Sequence, residues 1–144
     1  MKPFETKVIG HPEKWLVQAA ADVNVDLAGF THELTNHFQN HVLKRHGKGS
    51  LAITEKDFAK IPGILKSPDM AIIGAFREGT LINAYVKREV DVTYLYFEEV
   101  LDSTHNKALR SRTFYKIGKL LDPEGFKKIV TMNGITDISG AKKI

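Results

Sequence analysis

Apolar positions recur at helical spacing in the first half of the chain and alternate with polar ones in the second. After Pro12, the residues Trp15, Leu16, Ala19, Ala20 and Val23 fall along one helical face. Thr31 reads as the N-cap of a second helix, with a stripe of Leu34, Phe38 and Val42 at i, i+4 and i+8. Gly47 and Gly49 end that helix. Thr54 with Asp57 three residues later resembles a capping box for a short helix that Pro62 and Gly63 stop.

From Met70 onward the pattern predicts strands over Met70–Phe76, Thr80–Arg88, Val92–Val100 and Lys107–Lys116, with a last helix over Pro123–Thr131. In the second strand Ile82, Ala84 and Val86 alternate with Asn83, Tyr85 and Lys87, the mark of a sheet covered on one face. The expected fold is α+β: N-terminal helices on a single antiparallel sheet of about four strands, closed by a short C-terminal helix. The strand connections are too short for parallel crossovers. The whole chain, 1–144, reads as one domain.

Composition narrows the class. The chain has 42% hydrophobic and 26% charged residues, which is globular, and apolar runs of only a few residues, too short to cross a bilayer. Its opening Met1-Lys2-Pro3-Phe4-Glu5-Thr6 lacks the apolar stretch of a secretory signal, so nothing here exports the chain by that route; the expected site of action is cytoplasmic. Having no cysteine, it has no thiol nucleophile and no thiolate metal site. The net charge of +4 is concentrated at the end, where residues 101–144 hold 9 basic and 4 acidic side chains. Such a cluster suits a polyanion such as nucleic acid.

Four groups of residues could carry chemistry. His37 and His41 lie one turn apart with Glu33 a turn earlier, a stripe that could hold zinc or could be a solvated helix face. His41 and His46 would diverge by about 140° on an ideal helix, but a turn at Gly47 could bring His46 back beside His41. Two imidazoles can serve as the acid and base of one reaction. Lys87 offers an ammonium for phosphate charge, or is an ordinary strand-end lysine. In Arg110–Lys116, alternation puts Ser111, Thr113 and Tyr115 on one face and Arg110, Arg112, Phe114 and Lys116 on the other. These types suit phosphate and base contacts, or a charged edge strand.

The order of the pieces adds specificity. Asn40-His41-Val42-Leu43-Lys44-Arg45-His46-Gly47 is followed by Ile53-Thr54-Glu55-Lys56-Asp57-Phe58, then Tyr85-Val86-Lys87 and Arg112-Thr113-Phe114-Tyr115-Lys116. Over roughly residues 29–116 this resembles the phage and polymorphic-toxin branch of the barnase, EndoU, colicin and RelE-like nuclease superfamily. One departure is Asn40, where that branch often has a basic residue before the first histidine.

The resemblance implies an endoribonuclease that needs no metal or other cofactor, with His41 and His46 as the acid–base pair. It further implies that Lys87 stabilises the phosphorane and that Thr113 orients the phosphate. Arg110, Arg112, Tyr115 and Lys116 would bind the RNA. Implied partners are an RNA substrate, with tRNA one class that related toxins attack, and an immunity or antitoxin protein; no membrane is involved. The chain would act either as a free protein or as part of a larger toxin delivered from another cell. The competing readings are a noncatalytic phage structural or nucleic-acid-binding domain, and the histidine metal site.

Overall fold

A computed structural model describes residues 5–49, 51–103, 106–135 and 137–144. The described residues form seven strands and five helices in the order β1 (Thr6–Gly10), α1 (Lys14–Ala21), β2 (Thr31–Thr35), α2 (Asn36–His46), α3 (Glu55–Phe58), α4 (Ile61–Lys66), β3 (Met70–Arg77), β4 (Thr80–Glu89), β5 (Val92–Ser103), β6 (Asn106–Ile117), α5 (Pro123–Met132) and β7 (Lys142–Lys143). All strands join one sheet, ordered β1-β2-β6-β5-β4-β3-β7.

This corrects the expected fold. The sheet is not a four-stranded antiparallel one but has seven strands and is mixed, because β2 pairs parallel with β6. The meander β3–β6 lies at its centre, flanked by β2 and β1 on one side and by β7 on the other. Short connections do exclude parallel pairing between successive strands, but β2 and β6 are far apart in the chain.

Segment Thr31–Thr35 is a strand rather than the start of a helix. Its helix begins one turn later, where the Thr35 hydroxyl accepts a hydrogen bond from Phe38 N–H at 3.0 Å. Leu34 is therefore a strand residue, and only Phe38 and Val42 of the expected stripe belong to α2. Pro62 likewise opens a helix instead of stopping one. It occupies the first turn of α4, where its missing N–H costs nothing. The capping box does form: Thr54 N–H donates to Asp57 Oδ2 at 2.8 Å.

Both faces of the sheet are covered, not one. On the first face Phe38 and Val42 of α2 and Leu16 of α1 pack with Tyr85, Tyr96 and Phe114. Phe38 meets Tyr96 edge to face, with centroids 6.3 Å apart. On the second face Ile82, Ala84, Val86, Leu95 and Phe97 pack with Phe126 and Val130 of α5. Asn83 and Tyr85, expected to face water, are therefore buried under the N-terminal helices. No helix among the described residues is long and apolar enough to cross a membrane.

Candidate active site

The site begins at the end of α2. His37, His41 and Arg45 recur every four residues and share one stripe, and His46 is the last helical residue. Lys44 and Arg45 place cations where the helix dipole favours them. The chain can turn directly afterwards because residue 47 is glycine: a Cβ there would lie 2.1 Å from the Leu43 carbonyl oxygen. The His46 carbonyl then accepts from Ile53 N–H at 2.7 Å. His46 is thus fixed within α2, rather than swung round on a turn as the sequence suggested. Its ring stacks on Tyr115, with centroids 5.1 Å apart and planes 23° apart.

The strand β6 supplies the next groups through an irregularity. Phe97 pairs with Thr113, yet Glu98 pairs with Ser111, so Arg112 is an extra residue in the ladder. Strict alternation would place Arg112 opposite Thr113. The bulge corrects this: Ser111 turns to the first face, where its hydroxyl accepts from Tyr96 (2.9 Å) and donates to the Glu33 carbonyl (2.7 Å). Arg112 points to the second face and donates to Glu99 Oε2 at 2.9 Å. Arg110, paired in register with Glu99, joins them, with its Nη2 3.6 Å from Glu33 Oε1. Glu33 is therefore a strand residue facing Arg110, and it does not share a helical stripe with His37 and His41.

These groups meet in a cavity of about 840 Å³. One wall is the α2 stripe with His46, and the floor includes Ile82, Phe97, Glu99, Arg110, Arg112 and Thr113. The far wall is Arg77 with Met132, Asn133, Gly134 and Ile135 at the end of α5. Three histidines and four arginines thus surround one carboxylate, and that carboxylate is already paired. A cavity of this charge suits phosphate. Burial, reinforced by Arg45 and His41, lowers the pKa of His46 and favours its neutral form. Tyr115 stands behind His46 as support. Its ring lies between His46 and Phe97, and its hydroxyl accepts from Asn133 Nδ2 at 3.1 Å. Burial raises its pKa and keeps it protonated.

Besides Tyr115, which backs His46 without lining the cavity, two expected residues do not come here. Lys87 lies five residues along β4 from Ile82, about 16 Å on, and on the opposite face. Its ammonium donates to the Ser67 carbonyl at 2.8 Å and lies 4.0 Å from Asp69. Lys116 turns to the first face, where its Nζ sits 3.2 Å from Asp57 Oδ2 and over the Tyr94 ring. Conversely, sequence reasoning did not assign His37, Arg45, Arg77, Glu99 or Asn133 to the site. The i, i+4, i+8 spacing with His41 was a usable signal for His37 and Arg45. No local pattern marked the other three.

The Asp57 contact has a measurable consequence. Burial opposes its charge, but the Tyr94 hydroxyl, the Thr54 amide and Lys116 together outweigh burial, and the pKa is lowered. A depressed carboxyl contributes stability above its unfolded value, about 3.9, and loses it as pH falls through the folded value. Asp57→Asn should therefore cost about 1.5–3 kcal/mol at neutral pH, typical of hydrogen bonds to a charged group. In thermal melts its deficit should shrink below about pH 4; a deficit independent of pH would show that the charge is not what matters.

Residues 10–122 match the family described as phage-Barnase-EndoU-ColicinE5/D-RelE like nuclease3. The chain belongs to this family. The match spans more than three-quarters of the sequence, from the end of β1 to just before α5, in keeping with the resemblance seen in the order of its motifs. No curated protein and no solved structure showed a significant match. In this member of the phage nuclease family, the far wall of the cavity, Arg77 apart, is built by residues beyond the matched segment.

Proposed function

We propose that this nuclease-family chain is an endoribonuclease that cleaves RNA through the substrate's own 2′-hydroxyl. The observation that carries the reading is that His41 and His46 line one cavity with Arg110, Arg112 and Thr113. His46, held neutral, takes the 2′-hydroxyl proton, and the 2′-oxygen attacks the adjacent phosphorus. As the bond from phosphorus to the 5′-oxygen breaks, a protonated His41 gives its proton to that oxygen. The products are a 2′,3′-cyclic phosphate and a 5′-hydroxyl, with His46 left protonated and His41 neutral. Arg112 and Arg110 face the phosphate oxygens as charge builds, and Thr113 adds a hydroxyl donor. Because RNA carries its nucleophile, the chemistry needs no metal-activated water, and DNA lacks the group.

The position of Lys87, outside the cavity, favours the alternative of a noncatalytic nucleic-acid-binding domain. One experiment separates the two. Purified protein incubated with RNA in EDTA should yield cyclic-phosphate ends, and a single 2′-deoxy substitution at the cleaved nucleotide should block cutting there. Binding without cleavage would support the noncatalytic reading, while cutting of the deoxy substrate or complete loss in EDTA would sink the mechanism. An RNA-cutting toxin would also call for an immunity or antitoxin protein that masks the cavity in the cell that makes it.

A further inference from the structure

The cavity is wider than the reaction within it requires. Its histidine wall stands beside β6, whereas Arg77 lies on β3, three strand spacings away, or about 14 Å. Arg77 therefore stands at the end of the cavity away from the histidine wall. Arg77 ends β3 immediately before Glu78 and Gly79, whose φ values of 50° and 82° fold the chain back into β4. Its guanidinium lies against Gly134, where a Cβ would sit 3.1 Å from Nε. Whereas Glu33 and Glu99 face Arg110 and Arg112, no acidic group among the described residues pairs with Arg77. Beside it, on the same wall, Met132 is 83% exposed.

We propose that Arg77 and Met132 form a subsite for a nucleotide remote from the cleaved bond, an inference that rests on the ribonuclease reading. Arg77 takes a phosphate of the strand, and the polarizable Met132 side chain lies against a base. A base offered to Met132 must be unstacked, so the ligand is single-stranded RNA of several nucleotides rather than a duplex. Met132 and Gly134 lie outside the family-matched residues 10–122 while Arg77 lies within them, so the base contact is where the chain would select its own substrates.

The test compares Arg77→Ala and Met132→Ala with the unaltered protein on a dinucleotide and an octanucleotide RNA. Arg77→Ala should raise KM about tenfold more for the octamer than for the dinucleotide. Binding of a labelled 2′-deoxy octamer, which needs no cleavage, should lose about 0.7 from its log–log salt slope, the contribution of one phosphate on a single strand. Met132→Ala should weaken octamer binding without changing that slope. Equal effects on both substrates, or an unchanged slope for Arg77→Ala, would overturn the subsite. If the unaltered protein cut neither RNA while the slope change held, the ribonuclease reading would fail and Arg77 would remain only as a phosphate contact of a noncatalytic RNA-binding domain.

Discussion

His41→Ala and His46→Ala should each slow RNA cleavage about 10²–10⁴-fold, the usual worth of a positioned acid or base. Neither residue belongs to the buried core, so thermal melting should stay close to that of the unaltered protein. The double variant should be little worse than either single one, because groups that act as one unit are not additive. The pH dependence separates their roles. The His46 pKa is lowered by burial first, then by Arg45 and His41, so its neutral form persists below pH 6.5. The acid limb of kcat/KM should therefore fall below pH 6.5 and disappear in His46→Ala. Single-turnover rates across pH would check this. An unchanged rate in either single variant, or an acid limb that survives in His46→Ala, would remove the assignment.

The end of α2 was legible, because a Cβ at residue 47 would strike the Leu43 carbonyl, but the meeting of His41 and His46 was read from a turn that does not form. The central meander was legible too, because β-branched and aromatic runs separated by turn residues have few other uses. β2 was not. Thr31-His32-Glu33-Leu34-Thr35 is short and largely polar, and its buried His32 and Glu33 are tolerable only because Glu98 and Arg110, distant in sequence, receive them. No local pattern records such partners. The bulge at Arg112 was equally hidden, since alternation assumes a regular ladder and one extra residue reverses the faces beyond it. Lys87 shows the converse error. It sits in the expected order along the chain, but order does not measure position along a strand, and β4 carries it to the far end.

Glu98→Ala should destabilise the protein by about 3–5 kcal/mol, the cost of leaving three buried hydrogen-bonding groups without their partner. Glu98 is 0% exposed beneath the N-terminal helices. Its Oε1 lies 2.8 Å from His32 Nδ1, and its Oε2 accepts from Asn83 Nδ2 at 3.1 Å and from the Tyr85 hydroxyl. Asn83 Oδ1 in turn accepts from Gly74 N–H at 3.0 Å, where β3 shifts register and φ is 81°. One carboxylate thus ties β2, β5, β4 and β3 together. Removing it strands three buried donors, and His32 already has its Nε2 unpartnered among the described residues. Against a typical total of about 5–15 kcal/mol, this is a large share. Glu98→Gln keeps an acceptor on the same frame and should cost clearly less. Urea unfolding of both variants measures the difference, and a loss below about 1 kcal/mol in Glu98→Ala would show that the network is not cohesive. Glu98 also sits at the bulge, between the Phe97–Thr113 and Glu99–Arg110 pairs. A one-residue slip there would turn Glu99 into the core and Glu98 into the cavity, so the network that stabilises the sheet also holds the site in register.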